Sequence, residues 1–213
     1  MHISPPGSSP ALVDLVRLRR LFAAPPRHVP IPFADEREGR HPGGEIRPAA
    51  VLMPLIERPQ GLMVLFTRRT AHLRSHAGQI SFPGGRAEPE DASPAETALR
   101  ETREEIGLDA SRVEVLGLLP SQYTTRSGFL VTPVVGAVRT PFELTPDQSE
   151  VDEVFEVPLA FLLDPANHRQ GSIVTDGETR NFHAIPYGNY YIWGVTAGIL
   201  MHFYWFLNAA EIR

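Results

Sequence analysis

One segment, which joins a double glycine to an acidic helix, constrains this chain more than any other. Ser93 followed by Glu96 predicts a helix start with a capping box, and Gly107 predicts the helix end. Inside this predicted helix, three glutamates occupy positions i, i+3 and i+4: Glu101, Glu104 and Glu105. These positions share one helix face, so the pattern crowds three carboxylates into one small patch. Folding alone does not require such a patch, because like charges repel.

Two interpretations of the acidic patch compete. The simpler one is a solvated helix face, because glutamate is a good helix former and acidic runs are common. The other is a site for a hard divalent cation, since Mg²⁺ takes oxygen ligands and commonly bridges carboxylates to phosphates. Gly84 and Gly85 lie upstream, where a predicted strand gives way to a loop, and would let the backbone approach a ligand closely. Together, the glutamates and glycines favour phosphate chemistry.

Composition narrows the class of protein. The chain has 213 residues, 42% of them hydrophobic and 21% charged, which is typical of one globular domain. Its net charge of −5 argues against a nucleic-acid or anionic membrane surface. Cysteine is absent, which excludes thiolate chemistry and is compatible with the cytoplasmic location that we expect. Lysine is absent too, so phosphates must be met by arginine or by backbone amides.

A polar loop before the glycines carries most of the candidate phosphate ligands. Arg47 to Arg58 and Leu62 to Thr67 are predicted to form a hairpin, and the loop follows it. A solvated loop is one interpretation, but arginines at the entry of a pyrophosphate site would give forked phosphate recognition. The candidate substrate-binding residues are Arg68, Arg69, Arg74, His76, Gln79, Gly84 and Gly85.

The segment that begins at Gly85 resembles the Nudix box, G-x5-E-x7-R-E-U-x-E-E-x-G-U, in which U is a bulky aliphatic residue. The matching residues are Gly85, Arg100, Glu101, Glu104, Glu105, Gly107 and Leu108. Asp91 takes the place of the first glutamate, eight residues instead of seven separate it from Arg100, and Thr102 stands at an aliphatic position. None of these departures touches the three glutamates, so we expect metal binding to survive. The departures bear on the loop geometry around Asp91.

The run from Leu65 to Gly85, L-F-T-R-R-T-A-H-L-R-S-H-A-G-Q-I-S-F-P-G-G, is similar to the additional motif of the coenzyme A pyrophosphatase branch of the Nudix hydrolases. This resemblance implies hydrolysis of the pyrophosphate in coenzyme A, or in its derivatives, to 3′,5′-ADP and 4′-phosphopantetheine. It also implies Mg²⁺ or Mn²⁺ as cofactor, with Glu101 and Glu105 as principal ligands and Glu104 completing the set. Arg100 is expected to orient a glutamate through a forked ion pair.

In the family, a glutamate from the region of residues 144–156 can join the metal site or act as a base. Glu153 and Glu150 are the candidates for this role, with a solvated acidic loop as the alternative, and we name Glu153 as catalytic. The general base stays open among Glu104, Glu150, Glu153 and His76. Two other functions compete with the coenzyme A assignment. One is hydrolysis of ADP-ribose, a dinucleotide or a nucleoside triphosphate, and the other is a Nudix-fold binding module without catalysis. Such modules usually show a broken glutamate set, whereas this set is intact.

The expected fold class is α/β (α+β): a Nudix fold in which a mixed β-sheet is sandwiched between helices (α/β/α). Residues 46–213 are expected to form the Nudix domain, and residues 1–45 a tail, an amphipathic helix over 11–24 and a linker packed on it. Residues 190–207 carry no formal charge, but Gly194 interrupts them, which favours a core helix over a membrane span. The surplus of aromatic residues in this helix is the basis for a possible homodimer contact.

Overall fold

The computed structural model describes residues 13–26, 29, 46–71, 78–124, 128–175 and 177–209. Within these ranges the helices are α1 (Leu15–Ala23), α2 (Pro94–Ile106), α3 (Leu159–Leu163) and α4 (Gly194–Ala209). The strands of the main sheet are β1 (Arg47–Arg58), β2 (Gly61–Arg69), β3 (Ile80–Ser81), β4 (Gly84–Arg86), β5 (Val113–Leu118), β6 (Gln122–Thr124), β7 (Phe129–Val138) and β8 (Val151–Pro158). A second sheet contains β9 (Arg169–Thr175), β10 (Glu178–Tyr187) and β11 (Tyr190–Trp193).

The main sheet is mixed and is organised around β1. This strand pairs antiparallel with β2 and β4 and parallel with β7. Its buried side chains alternate between two clusters: Leu52 and Ile56 pack on the α2 side, whereas Met53 and Leu55 pack on the side of α1, α3 and α4. A strand covered on both faces requires this continuous apolar run. The α/β/α arrangement predicted from the sequence is therefore confirmed.

Helix α2 begins and ends where its sequence predicts. The Ser93 hydroxyl accepts a hydrogen bond from the Glu96 amide at 3.2 Å, and Gly107 closes the helix in the left-handed conformation at φ 71°. Its buried face, which includes Ala98 and Ile106, packs on β1. Thr102 is also buried, and its hydroxyl donates to the Ala98 carbonyl at 2.6 Å. The polar residue at an aliphatic position of the motif is thus satisfied inside its own helix.

Helix α4 is the core helix that the sequence predicts. Phe203, Tyr204, Trp205 and Phe206 are each at most 5% exposed. These aromatic side chains fill the chain's own core, so they do not offer the homodimer contact that we expected from them. No helix in the described ranges has both the length and the apolar character that crossing a bilayer requires.

Helix α1 packs on the domain that follows it. Leu15 and Leu18 are buried, and the Phe22 ring stacks on Phe206 with centroids 4.8 Å apart. Arg19 forms an ion pair with Glu114 of β5 at 2.8 Å. The helix begins at Leu15 and not at residue 11 as predicted, because the Asp14 side chain caps it by accepting a hydrogen bond from the Arg17 amide at 2.7 Å. The division at residue 45 stays a prediction.

A buried histidine links α4 to β6. His202 is 4% exposed, and its Nδ1 lies 2.9 Å from Nε2 of Gln122. Burial and, to a smaller extent, the neighbouring His183 lower the pKa of His202 to about 4, although a hydrogen bond to the Pro120 carbonyl opposes the shift. The folded protein therefore favours the neutral imidazole.

We expect His202 to weaken the fold in mild acid. Because its folded pKa lies below the unfolded value near 6.5, its contribution to stability is complete above that pH and is lost as the pH falls towards 4. The loss in free energy of unfolding is about 3 kcal/mol. Urea unfolding of the wild type and of His202→Asn between pH 7.5 and pH 4.5 measures it. The difference between the two proteins should shrink or reverse in acid, and a pH-independent difference would contradict this assignment.

Candidate active site

Glu105 is the most buried of the three glutamates, with 6% of its side chain exposed. Its Oε2 accepts a hydrogen bond from the Gly84 amide at 3.1 Å, and its Oε1 accepts from Nη1 of Arg69 at 3.4 Å. Burial raises the pKa of Glu105 to about 7, opposed by these two contacts, and the charges of Glu150 and Glu101 add to the rise. A divalent cation would stabilise this buried carboxylate in its charged form.

Glu101 and Glu104 differ from Glu105 and from each other. Nη1 of Arg100 donates to Glu101 at 3.0 Å and to Glu104 at 3.1 Å. Only 20% of the Glu101 side chain is exposed, against 53% for Glu104. Burial raises the pKa of Glu101, Arg100 lowers it, and Glu104 and Glu150 raise it further. Glu101 and Glu105 therefore form the inner part of the patch, and Glu104 lies at its rim.

The double glycine lies in a strand, not in the loop predicted from the sequence. Gly84 and Gly85 belong to β4 and pair with Val51 and Ala50 of β1. Gly84 has φ 149°, and a Cβ there would lie 2.5 Å from the Val51 Cα. A Cβ on Gly85 would lie 2.5 Å from the carboxyl carbon of Glu101. The close approaches that these glycines permit are to the protein's own backbone and glutamates.

Asp91 fits the site despite the altered spacing. The Arg100 guanidinium forks onto it, with Nε to Oδ1 at 3.0 Å and Nη2 to Oδ2 at 2.9 Å. Asp91 also accepts from the Glu88 amide and from the Thr97 hydroxyl, each at 2.9 Å. These contacts, led by Arg100, hold the pKa of Asp91 well below its usual range. The predicted fork of Arg100 is therefore made to Asp91, and the contacts to the glutamates are single.

Two neighbouring arginines, Arg68 and Arg69, point in different directions. Sequence reasoning placed both in a loop, but they form the end of β2, where a register shift separates them in the pairing with β8. Arg69 faces Glu105. Arg68 instead binds Asp152 at 2.8 Å and Glu153 at 3.1 Å. Arg68 is poorly placed for the phosphate recognition expected of it, because its guanidinium already binds Asp152 and Glu153.

Glu153 is not brought to the other glutamates. Directly paired residues of neighbouring strands share a sheet face, and Glu153 pairs with Arg68. Its Oε1 accepts a hydrogen bond from the Tyr190 hydroxyl at 2.7 Å. The Tyr190 ring stacks at 3.7 Å on Phe155, which packs with the core cluster on the face opposite α2. The expected role of Glu153 in the metal site therefore has no support in its position.

Glu150, which the sequence left open, lies beside the site. Its carbonyl accepts from the Thr70 amide at 2.9 Å, and the preceding loop binds α2 through the Asp147 amide and the Glu105 carbonyl, also at 2.9 Å. These backbone bonds place the Glu150 carboxylate 3.6 Å from Nη2 of Arg69. No local sequence pattern distinguishes Glu150 from Glu153. The pairing of β8 with β2, which are distant in sequence, decides where each of them lies.

The remaining candidates divide in two. Arg74 and His76 lie outside the described residues. Gln79 is next to the site through its carbonyl, which accepts from the Arg69 amide at 3.0 Å. In the described part of the chain, no three acidic or histidine side chains already have the spacing of a metal site. The donor set nevertheless suits a hard cation, because Glu101, Glu104 and Glu105 supply only carboxylate oxygens. The charge of Glu104 raises the pKa of Glu101, and the charge of Glu101 raises the pKa of Glu105.

Comparison with known proteins identifies the family of this chain. An uncharacterized Nudix hydrolase, NudL, of Escherichia coli (strain K12 / DH10B) is 42% identical over 154 residues, which cover 72% of this chain and 79% of that protein. The protein of the same name from Yersinia pestis (strain Pestoides F) is 44% identical over 156 residues, covering 73% and 77%. The crystal structure of a Nudix hydrolase from M. smegmatis, RenU, aligns with a TM-score of 0.46 and 25% identity, covering 55% of this chain and 73% of that one. Residues 46–176 match the NUDIX domain, and the chain belongs to the Nudix family.

Proposed function

We propose that the chain hydrolyses the pyrophosphate bond of coenzyme A, or of its derivatives, to 3′,5′-ADP and 4′-phosphopantetheine. One observation carries the substrate assignment: the run from Leu65 to Gly85 resembles the coenzyme A branch and continues directly into the Nudix box. Arg69 near its start contacts Glu105, and Gly84 at its end donates to the same carboxylate. Membership of the Nudix family supports the broader activity, which is cleavage of a diphosphate linkage.

The proposed metal ligands are Glu101 and Glu105, with Glu104 completing the set at the rim. Their carboxylate oxygens suit Mg²⁺ or Mn²⁺. The Glu105 carboxylate is buried and is therefore shielded from solvent. Such a cation would neutralise charge on the diphosphate and would lower the pKa of a bound water, the nucleophile of the proposed hydrolysis.

The other side chains position or assist these ligands. Arg100, braced by Asp91, holds Glu101 and Glu104. We place the general base at Glu150 in preference to Glu153, because Glu150 lies within 3.6 Å of Arg69 at the site and Glu153 is engaged elsewhere. Glu104 and His76 remain alternatives for this role.

Substrate binding falls to residues on the N-terminal side of the box. Arg69 is the proposed phosphate ligand, and Gln79, Arg74 and His76 are proposed to contribute from the same segment. The net charge of −5 supports a small-molecule substrate over nucleic acid. The cytoplasmic location stays a prediction.

A panel of substrates tests the assignment. With Mg²⁺ or Mn²⁺ present, we expect kcat/KM for coenzyme A to exceed that for ADP-ribose, diadenosine polyphosphates and nucleoside triphosphates by at least about tenfold, or roughly 1.4 kcal/mol of transition-state stabilisation. Faster turnover of ADP-ribose would contradict the substrate assignment and leave the pyrophosphohydrolase assignment intact. No turnover of any compound with either metal would indicate a binding module.

A further inference from the structure

Arg69 is held more loosely than the other arginines that form ion pairs near it. Its Nη1 lies 3.4 Å from Glu105, and its Nη2 lies 3.6 Å from Glu150. By contrast, the ion pairs of Arg68 and Arg100 measure 2.8 to 3.1 Å. A guanidinium frequently binds both oxygens of one carboxylate through two parallel hydrogen bonds. Arg69 instead bridges two carboxylates with one nitrogen each.

The backbone on either side of this contact is fixed, so the long distances belong to the side chains. The Arg69 amide donates to the Gln79 carbonyl at 3.0 Å, and the Arg69 carbonyl accepts from the Gly78 amide at 3.1 Å. Glu150 is fixed by the Thr70 amide. The Arg69 side chain is 25% exposed and Glu150 is 47% exposed, against 6% for Glu105. The guanidinium therefore lies between a buried acid and an exposed one.

A buried carboxylate needs a nearby positive charge, and at Glu105 the described residues supply it through Arg69. Arg100 is engaged by Asp91, Glu101 and Glu104. Arg69 thus supplies at Glu105 the positive charge that a bound divalent cation would also supply. A guanidinium and a divalent cation at the same carboxylate would repel each other strongly.

We propose that Arg69 and the divalent cation compete for the Glu105 carboxylate. The ion pair of Arg69 with Glu105 lowers the affinity of the site for the cation, and the contact with Glu150 holds the guanidinium beside Glu105. This inference rests on the proposed function, because a divalent cation at this site is part of that proposal.

Titration calorimetry with Mg²⁺ alone, without substrate, tests the competition. Arg69→Gln should bind Mg²⁺ about tenfold more tightly than the wild type, since the competing charge is gone. Arg68→Gln is the matched control: it removes the same charge from the adjacent residue, whose partners are Asp152 and Glu153. Its Mg²⁺ affinity should stay within about twofold of the wild type, because its charge is held on other acids. In EDTA, Arg69→Gln should melt below the wild type, and saturating Mg²⁺ should close that gap.

Unchanged or weaker Mg²⁺ binding by Arg69→Gln would overturn the inference, as would an equal gain in Arg68→Gln. If Arg69→Gln does not fold, Arg69→Met replaces it: this variant keeps the apolar stem and removes the charge, so a gain in Mg²⁺ affinity supports competition and wild-type affinity overturns it. A wild-type protein that binds neither Mg²⁺ nor Mn²⁺ would remove the proposed metal site and this inference together. If only the inference fails, the wild type still binds the cation, so this outcome can be distinguished from loss of the proposed metal site.

Discussion

Glu105→Gln is expected to lower turnover of coenzyme A by about 10³-fold or more, the scale set by loss of preorganised charge stabilisation at a reacting centre. The variant keeps the side chain's shape and an oxygen for the Gly84 amide but loses the negative charge that would hold the cation. Steady-state rates and Mg²⁺ titrations measure the effect. The loss should appear in kcat and in Mg²⁺ affinity, with the circular dichroism spectrum unchanged.

Glu153→Gln is the control for this variant. It makes the same chemical change in a glutamate that is bound to Arg68 and Tyr190 on the other side of the sheet. We expect it to lose less than about fivefold in turnover, because a change away from the reacting atoms removes no transition-state contact. Near-normal turnover in Glu105→Gln, or an equal loss in Glu153→Gln, would contradict the assignment of the site.

Glu105 also gives the metal-free protein a pH dependence. Its folded pKa is raised to about 7, so its contribution to stability is complete below the unfolded value near 4.5 and is lost as the pH rises through 7. The free energy of unfolding of the wild type in EDTA should lose about 3 kcal/mol from this group across that window. Glu105→Gln cannot ionise at this position. The difference in free energy of unfolding between the wild type and this variant therefore reports Glu105 and cancels the opposite pH trend of His202.

Gly85→Ala is expected to lower turnover and Mg²⁺ affinity by about 10²-fold, the cost of a reacting group displaced by about 1 Å, in a protein that still folds. The added Cβ would lie 2.5 Å from the Glu101 carboxyl carbon and 2.7 Å from its Oε1. The end of a glutamate side chain can move, so the clash displaces the carboxylate and leaves the backbone in place. Activity, Mg²⁺ titration and thermal unfolding together measure the effect.

Gly84→Ala provides the contrast. Its Cβ would meet the Val51 backbone, and its φ of 149° strains any other residue. We expect this variant to lose stability, whereas Gly85→Ala should melt within a few degrees of the wild type. A Gly85→Ala protein with wild-type Mg²⁺ affinity would show that the glycine does not seat Glu101.

Features set by local sequence could be predicted here. Ser93 and Gly107 fix the ends of α2 through their own backbone chemistry, and the period of that helix places Glu101 and Glu105 one turn apart. The unbroken apolar run of β1 likewise identifies a strand buried on both faces. These signals need no knowledge of distant residues.

Features set by strand pairing could not be predicted. Arg68 and Arg69 point to opposite faces by strand alternation, but the acid that each one meets depends on the register shift in the pairing of β2 with β8. In strands, a shift of one residue exchanges the two faces, and contacts between distant segments decide the shift. The same limit applies to Gly85, whose neighbour Ala50 on β1 is far away in sequence.

Product analysis after incubation with coenzyme A and Mg²⁺ tests the central claim most directly. Chromatography with mass detection should show 3′,5′-ADP and 4′-phosphopantetheine in equal amounts and no free phosphate. With Glu105→Gln, both products should form more slowly by about 10³-fold or more. Coenzyme A that stays intact under conditions in which the same preparation hydrolyses ADP-ribose would contradict the claim.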